Sequence, residues 1–219
     1  MQRVHPTQAH PLHHTAATRR LEHSAAATLP PHTLMQRAGL AVARLARALA
    51  PHARTIWIAC GPGNNGGDGL EAAMLLHRAG MPVVATWLGA PETAPADARL
   101  SWQRAQDAGV AFSQQAPHPL GPQDLCIDAL LGIGLAPGDQ RPPPSERLTA
   151  LLHALHHSPA PVLCVDVPSG LQADTDYLLR VDSKAQAIVD AIDKDKKFAE
   201  TKLAAAAPAL AEAEDTLAR

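Results

Sequence analysis

The stretch CGPGNNGGDGLEAAMLL, from Cys60 to Leu76, decides the fold of this chain. A short apolar run rich in β-forming residues, TIWIAC (55–60), precedes it. The residues from Asp68 onward have the apolar spacing of a helix that ends at Gly80, and the run MPVVATWLG (81–89) predicts a second strand. Strand, glycine-rich turn, helix and strand make a βαβ unit, which is the setting in which such a turn binds phosphate.

The glycine pattern departs from two common nucleotide-binding motifs. The dinucleotide-binding fingerprint has an acidic residue about 20 positions further on, at the end of the second strand. Here that strand ends at Gly89, and the nearest acid is Glu92 in a loop. A P-loop needs Lys followed by Ser or Thr after the glycines, and neither follows here. Gly66 and Gly67 permit a ligand to approach the backbone closely, and Asp68 is expected to cap the helix. A capped turn without any ligand is the alternative.

Strand and helix patterns alternate from Thr55 to Gly170. Further helices are expected at 31–49, capped by Thr33, at 98–109, and after Ser145; further strands are expected at 110–112, 124–132 and 160–170, the last two buried on both faces. The first of these helices has an apolar stripe through Leu34, Ala38, Ala41 and Leu45. The alternation predicts an α/β fold, a doubly wound Rossmann-like parallel sheet with helices on both faces.

Three polar clusters fall where predicted strands end. They are Asn64 to Asp68, Asp128 with the following GIGLAPG (132–138), and Asp166 to Gly170. Ligands of doubly wound sheets bind beyond the carboxyl ends of the strands. The three clusters are therefore expected to form one shared site.

Composition narrows the class of protein. A chain of 219 residues is long enough for one well-buried α/β domain. The formal net charge of -2 gives no reason to expect nucleic acid or an anionic membrane as a partner, and no apolar run is long enough to span a membrane. Three widely spaced cysteines, each in an apparent strand, suit a reducing compartment, so a cytoplasmic location is expected.

The composition also divides the chain into segments. Residues 1–30 are expected to be a poorly ordered leader, and 31–175 to be the domain. No lysine precedes Lys184, whereas five lysines occur from there on. The segment 176–219 is therefore predicted to be a tail of different origin, an amphipathic helix interrupted at Pro208.

The motifs GPGNNGGDGL, DALLGIGL and VDVPSG together resemble the NAD(P)H-hydrate epimerase family, of the YjeF N-terminal type, over roughly residues 30–175. LMQRAG (34–39) is similar to the first helix of that family. The resemblance implies a nucleotide-repair enzyme that interconverts the R and S epimers of hydrated NADH and NADPH. An S-specific dehydratase then restores the cofactor and is the implied functional partner. The family is compatible with a homodimer.

The resemblance also implies roles for individual residues. Those implied to contact the substrate are Asn64, Asn65, Gly66, Gly67, Asp68, Gly132, Ile133, Gly134, Leu135, Ala136, Pro137, Gly138 and Asp166. Asn65, Asp128 and Ser169 are implied to bind a potassium ion, and amide, carboxylate and hydroxyl oxygens are hard ligands that suit such a cation. Asp166 is the candidate general acid/base for inversion of the hydroxyl-bearing carbon. The alternative for Asp166 is a carboxylate that only anchors the Pro-Ser-Gly turn.

The chain departs from the family after VPSGL. Members of the family continue with several dozen residues that complete the sheet, so this sheet is expected to be truncated at its C-terminal edge, with uncertain activity. The tail segment AETKLAAAAPALAEAEDTL is instead similar to the stalk coiled coil of dynein heavy chains, without implying motor function. Two other functions stay open: a non-catalytic nucleotide- or protein-binding module, and half of a bifunctional repair enzyme.

Overall fold

A computed structural model describes residues 14–134 and 144–170, in which five helices surround a five-stranded sheet. The helices are α1 (Thr15–Ala26), α2 (Thr33–Leu49), α3 (Asn64–Arg78), α4 (Ala96–Asp107) and α5 (Glu146–His157). The strands are β1 (Ile56–Cys60), β2 (Val83–Trp87), β3 (Ala111–Phe112), β4 (Leu125–Ala129) and β5 (Val162–Cys164). The predicted α/β fold is confirmed.

All five strands are parallel, in the order β3-β2-β1-β4-β5. Ile56 in the central strand β1 pairs with Val83 on one side and with Leu125 on the other. From β1 the chain first builds outward through β2 and β3, and then returns to add β4 and β5 on the opposite side. The boundary between β1 and β4 is therefore the point where the strand order reverses, and ligands of such sheets bind there.

The central strand is buried on both faces. Ile56 and Ile58 belong to the cluster formed with α2 and α3, whereas Trp57 belongs to a second cluster with Leu151 and Leu155 of α5. Successive side chains of a strand point to opposite faces, so helices cover both sides of the sheet. This explains why β1 is a continuous apolar run.

Several helix boundaries differ from the sequence-based expectation. Helix α3 begins at Asn64, and its N-cap is Gly63, which has no side chain to cap it. Asp68 therefore lies inside the helix, and the prediction that it caps the helix is wrong. His32, in the left-handed conformation, precedes α2 in place of the expected cap Thr33. The prediction that Ser145 opens α5 is confirmed, because its hydroxyl accepts a hydrogen bond from Leu148 N at 3.2 Å.

The structure differs from the sequence-based expectation in one further element and in the burial of two others. Residues 15–26, expected to be poorly ordered, form α1. The buried residues of α2 are Met35, Gly39, Ala43 and Ala46, one position away from much of the predicted stripe, and Leu45 is 46% exposed. Strand β5 is not buried on both faces, since Val162 is 42% exposed.

The predictions for the first 13 residues and for the tail lie outside the described residues. So do the expected truncation of the sheet and the similarity to a dynein stalk, which concern residues 171–219. Within the described ranges, no helix is both long enough and apolar enough to cross a bilayer.

A buried carboxylate joins the three helices on one side of the sheet. Glu71 of α3 is 1% exposed, and its two oxygens accept hydrogen bonds from Arg104 of α4 at 2.9 and 3.1 Å. His32, just before α2, has its Nε2 atom 3.4 Å from the same carboxylate. Ser101 of α4 donates a longer hydrogen bond to it at 3.5 Å. A buried carboxylate without partners is costly, so these contacts are what permit an acid inside this layer.

Replacing Glu71 by alanine is expected to lower the free energy of unfolding by about 3 kcal/mol, because His32 and Arg104 lose their buried partner. The low end of the range for buried pairs applies, since the Arg104 side chain is 34% exposed and can reach water. Urea denaturation followed by circular dichroism measures the difference. Glu92→Ala, which removes an exposed carboxylate, is the control and should change stability by less than about 0.5 kcal/mol. Equal stabilities for the two variants would contradict the structural role of Glu71.

Candidate functional site

The polar clusters meet at the carboxyl ends of β1, β4 and β5. Asp128 is paired in register with Ala59 of β1 and with Cys164 of β5. The segments that follow these three strands therefore start side by side. The expectation of one shared site is consistent with this arrangement.

Asp128 is the centre of a buried hydrogen-bond network. It is 5% exposed, and it accepts hydrogen bonds from Leu130 N at 3.1 Å, from Ser169 N at 2.9 Å and from Ser169 Oγ at 2.6 Å. The Ser169 hydroxyl in turn accepts a hydrogen bond from Leu131 N at 2.8 Å. These bonds tie the segment after β4 to the segment after β5. The two predicted cation ligands Asp128 and Ser169 are thus in direct contact.

Gly132 brings two further predicted residues together. A Cβ atom at this position would lie 2.5 Å from Asp166 Oδ2 and 3.2 Å from Asn65 Cγ. The carboxylate after β5 and the amide at the start of α3 therefore flank the same glycine. Any side chain at 132 would displace one of them.

Asp166 has an unusual backbone conformation. Its φ angle is +69°, in the left-handed region that residues other than glycine uncommonly adopt, although Asp tolerates it better than most. Its Oδ2 atom accepts a hydrogen bond from Ile133 N at 2.7 Å, and the residue is exposed. The carboxylate therefore holds the segment after β4 rather than only its own turn, and it remains accessible to a ligand. Backbone strain of this kind is common at functional sites.

The side chain of Asn65 is buried without a hydrogen-bond partner. Both its Oδ1 and its Nδ2 atoms are inaccessible to solvent, and neither forms a hydrogen bond. Buried polar atoms are normally paired, so an unpaired amide beside Gly132 indicates a place where a ligand completes the bonding.

The start of α3 offers backbone donors to the same place. Its first amides receive no side-chain cap. Gly66 packs directly on the carbonyl oxygen of Gly61, which also accepts a hydrogen bond from Trp87 Nε1 at 3.1 Å. This close packing positions the helix N-terminus against the ends of the strands. Free amides at a helix N-terminus bind phosphate and other anions.

Asp68 lies on the first turns of α3, where its pKa is raised from 3.8 to about 7. Burial of the carboxyl group is the main cause, and the negative charge of Asp166 is the second. Glu22, Asp97 and Glu71 raise it further. A carboxyl group with a pKa near neutrality is able both to donate and to accept a proton at physiological pH.

The predicted site residues are partly brought together. Asn65 and Asp166 flank Gly132, and Asp128 and Ser169 are hydrogen-bonded to each other. Leu131, which donates to Ser169 Oγ and precedes Gly132, connects the two groups. Asn64 is the exposed first residue of α3. Four residues of the predicted substrate loop lie outside the described ranges; they are Leu135, Ala136, Pro137 and Gly138.

Sequence reasoning missed the contribution of α1. Arg19 Nη2 donates a hydrogen bond to Gly134 O at 3.3 Å, and Glu22 is close enough to raise the pKa of Asp68. The sequence does favour a helix here, because the 12 residues of α1 contain neither glycine nor proline.

The comparisons with known proteins agree with this geometry. A family model described as the N-terminus of YjeF-related proteins matches residues 31–192. The chain belongs to this family. Among curated YjeF-related proteins, the NAD(P)H-hydrate epimerase of Bordetella pertussis is 41% identical over 140 residues, which are 64% of this chain and 58% of that protein. The bifunctional NAD(P)H-hydrate repair enzyme Nnr of Escherichia coli is 37% identical over 146 residues, 66% of this chain and 27% of that enzyme. The chain thus spans less than two thirds of either relative.

A solved structure supports the fold of this YjeF-related chain. The crystal structure of yeast ynu0 aligns with a TM-score of 0.61 and 22% sequence identity, covering 72% of this chain and 70% of the yeast chain. At this identity the likeness concerns the fold alone.

The raised pKa of Asp68 predicts how stability depends on pH in potassium-free buffer. The unfolded chain ionises this carboxyl group near pH 3.8, whereas the folded chain holds its proton until about pH 7. Ionisation therefore favours the unfolded state increasingly as the pH rises through that window, and the effect is complete above pH 7. Asp68→Asn, which cannot ionise, is expected to gain stability relative to the wild type from about pH 4 to about pH 7, with no further gain at higher pH.

Urea denaturation at pH 4, 5.5, 7 and 8.5 measures this difference. Glu92→Gln, at an exposed carboxylate, is the control and should show no such trend. A constant difference between Asp68→Asn and the wild type over the whole range would contradict the raised pKa.

Proposed function

We propose that this chain epimerises hydrated NADH and NADPH, interconverting their R and S forms as part of nicotinamide nucleotide repair. The observation that carries the proposal is the arrangement around Gly132, where an accessible carboxylate and an unpaired buried amide flank the same glycine in a YjeF-related chain. A relative 41% identical to this chain is named NAD(P)H-hydrate epimerase.

The backbone donors account for binding of the nucleotide. The uncapped amides at the start of α3 suit the pyrophosphate, because they present hydrogen-bond donors and the positive end of a helix dipole. The pyrophosphate would then lie at the N-terminus of α3. Gly66 and Gly67, expected from the sequence to let a ligand approach, are instead buried against Gly61 and against Met35 and Ala98. This leaves the nicotinamide end for the carboxylates.

The carboxylates account for the chemistry. Inversion at the hydroxyl-bearing carbon requires the carbon–oxygen bond to break, or the ring to open, and then to form again on the other face. In the first route a carboxylic acid gives its proton to the departing hydroxyl, which leaves as water while the ring nitrogen forms a double bond to carbon. A carboxylate then takes a proton from the water that adds to the opposite face. Asp166 is the proposed acid/base, and Asp68, with its pKa of about 7, is suited to assist it.

A potassium ion is proposed for the same site, held by Asn65, Asp128 and Ser169. The donor set fits such an ion, because the Asn65 oxygen is buried and unpaired, and carboxylate and hydroxyl oxygens are hard ligands. Within residues 14–134 and 144–170, no group of three His, Cys, Asp or Glu side chains could hold a metal, so the fit depends on the amide and the hydroxyl. When bound, the ion offsets the negative charge of the substrate.

The proposal extends to the cellular setting. An S-specific NAD(P)H-hydrate dehydratase would use the epimer that this chain produces, and one relative is named as a bifunctional repair enzyme. A cytoplasmic location and a homodimer are part of the same proposal. A non-catalytic binding module is the alternative that the following experiment separates.

Asp166→Asn is expected to lower the rate of epimerisation at least about 100-fold, because it removes the proton-transferring group. The amide oxygen can still accept the hydrogen bond from Ile133 N, so the fold should be retained. Chromatography of the two NADPH-hydrate epimers measures the rate above the uncatalysed background. Glu92→Gln is the control and should keep full activity. A folded wild type without activity would favour the binding module, and full activity in Asp166→Asn would contradict the role of Asp166.

Potassium chloride is expected to raise the melting temperature of the wild type above its value in choline chloride at equal ionic strength, since a ligand bound only by the folded state stabilises it. Asn65→Ala should lose this increase, because the buried amide oxygen is removed. Asn64→Ala is the matched control at the adjacent, exposed asparagine and should keep it. The same increase in all three proteins would contradict a potassium site at Asn65.

A further inference from the structure

Helix α1 is placed beside the site without being held there by apolar burial. None of its residues is buried, and Leu21 is 56% exposed. The hydrogen bond from Arg19 Nη2 to Gly134 O joins it to the segment after β4. This hydrogen bond is therefore one of the contacts that place the helix at the edge of the site.

Two charged side chains lie on the face of α1 that is nearest to the site. Arg19 and Glu22 are three positions apart, so they lie on the same side of the helix. Arg19 reaches Gly134, and Glu22 lies near enough to Asp68 to raise the pKa of that carboxyl group. The face of α1 that carries Arg19 is thus the face turned to the substrate site.

The negative charge around the strand ends gives Arg19 a role in binding an anionic substrate. Asp68, Asp128, Asp166 and Glu22 place four acidic groups around the strand ends, and a dinucleotide adds at least two negative charges of its own. Of the arginine side chains in residues 14–134 and 144–170, Arg19 alone is hydrogen-bonded to a residue of the site. A substrate of this charge needs a positive partner.

We propose that Arg19 binds a phosphate group of the dinucleotide substrate. Its bond to Gly134 O, at 3.3 Å, is longer than the usual 2.7–3.2 Å and uses one of five guanidinium N–H donors. The residue is exposed, so the remaining donors are free to form a forked pair with phosphate oxygens. The inference rests on the proposed function for the class of substrate, but it concerns binding and not catalysis.

Binding of stable dinucleotides tests this without relying on epimerisation. Dissociation constants for NAD⁺ and NADP⁺ are measured by isothermal titration calorimetry with the full chain. Arg19→Ala is expected to bind at least one of them about 10- to 100-fold more weakly, as for the loss of a charge-assisted hydrogen bond. Arg20→Ala is the matched control, because it removes an equal charge from the adjacent exposed position. It should bind within about threefold of the wild type, since a lone exposed charge is largely screened.

Arg19→Gln separates phosphate binding from simple positioning of the loop. Glutamine can still donate a hydrogen bond to Gly134 O, but it carries no charge. Binding as weak as in Arg19→Ala supports the proposal, whereas wild-type binding overturns it, because the role of Arg19 would then be to hold the carbonyl. Equal affinities in Arg19→Ala, Arg20→Ala and the wild type overturn it as well.

The two dinucleotides identify the phosphate. An equal loss for NAD⁺ and NADP⁺ assigns Arg19 to the pyrophosphate, and a loss confined to NADP⁺ assigns it to the 2′-phosphate. Epimerisation assays on the same variants should show a higher KM at unchanged kcat. A chain that lacks epimerase activity but shows the Arg19-dependent binding would contradict the proposed function and leave this inference intact.

Discussion

The site depends on the buried carboxylate of Asp128, because a charge at the end of a central strand must have its oxygens satisfied. Three hydrogen bonds do so, and two of them come from Ser169, 41 positions further along the chain. They bring the segment after β5 against the segment after β4. Asp166 and Gly132 meet as a consequence, and the acid/base candidate is placed next to Asn65. The hydrogen bonds from Leu131 N to Ser169 Oγ and from Ile133 N to Asp166 Oδ2 join the same two segments around Asp128.

A second constraint is the close packing around Gly66 and Gly67, which leaves no space for a side chain. Gly66 packs on Gly61 O, and a Cβ at Gly67 would lie 2.8 Å from Met35 Cε and 2.9 Å from Ala98 Cα. The absence of side chains at these two positions lets α3 pack against its own loop and against its neighbouring helices at the same time. Glu71, one turn further on, then lies in the layer between α2 and α4, where Arg104 and His32 contact it. The helix whose N-terminus borders the candidate site is therefore fixed on both sides.

The sequence predicted the sheet and its strands because burial on both faces leaves continuous apolar runs, as in IWIAC and LCIDA. It misplaced the start of α3 because two glycines resemble a turn, whereas tertiary packing makes them helical. It missed the buried face of α2, since Gly39 packs against α3, far along the chain, where a Cβ would lie 2.6 Å from the Glu71 Cβ and 3.1 Å from Ala72 N. Contacts between residues far apart in sequence leave no periodic signal. For the same reason, the resemblance and not the spacing implied that Asp128 and Ser169 serve one cation site, and their hydrogen bond to each other was not predicted.

The glycines that make the motif recognisable are not the residues that would perform the chemistry. Three glycines of GNNGGDG serve geometry, because a side chain at Gly66, Gly67 or Gly69 would collide with backbone or with neighbouring side chains, whatever reaction the site carries out. The carboxylates occupy this geometry without being needed to build it. Burial raises the pKa of Asp68, so its ionised form is disfavoured in the folded state, and Asp166 has a left-handed backbone conformation. Perturbed pKa values and strained backbone conformations within a well-packed fold are characteristic of functional sites. The glycines therefore identify the family, whereas Asp68 and Asp166 are the residues whose substitution tests the activity of this chain.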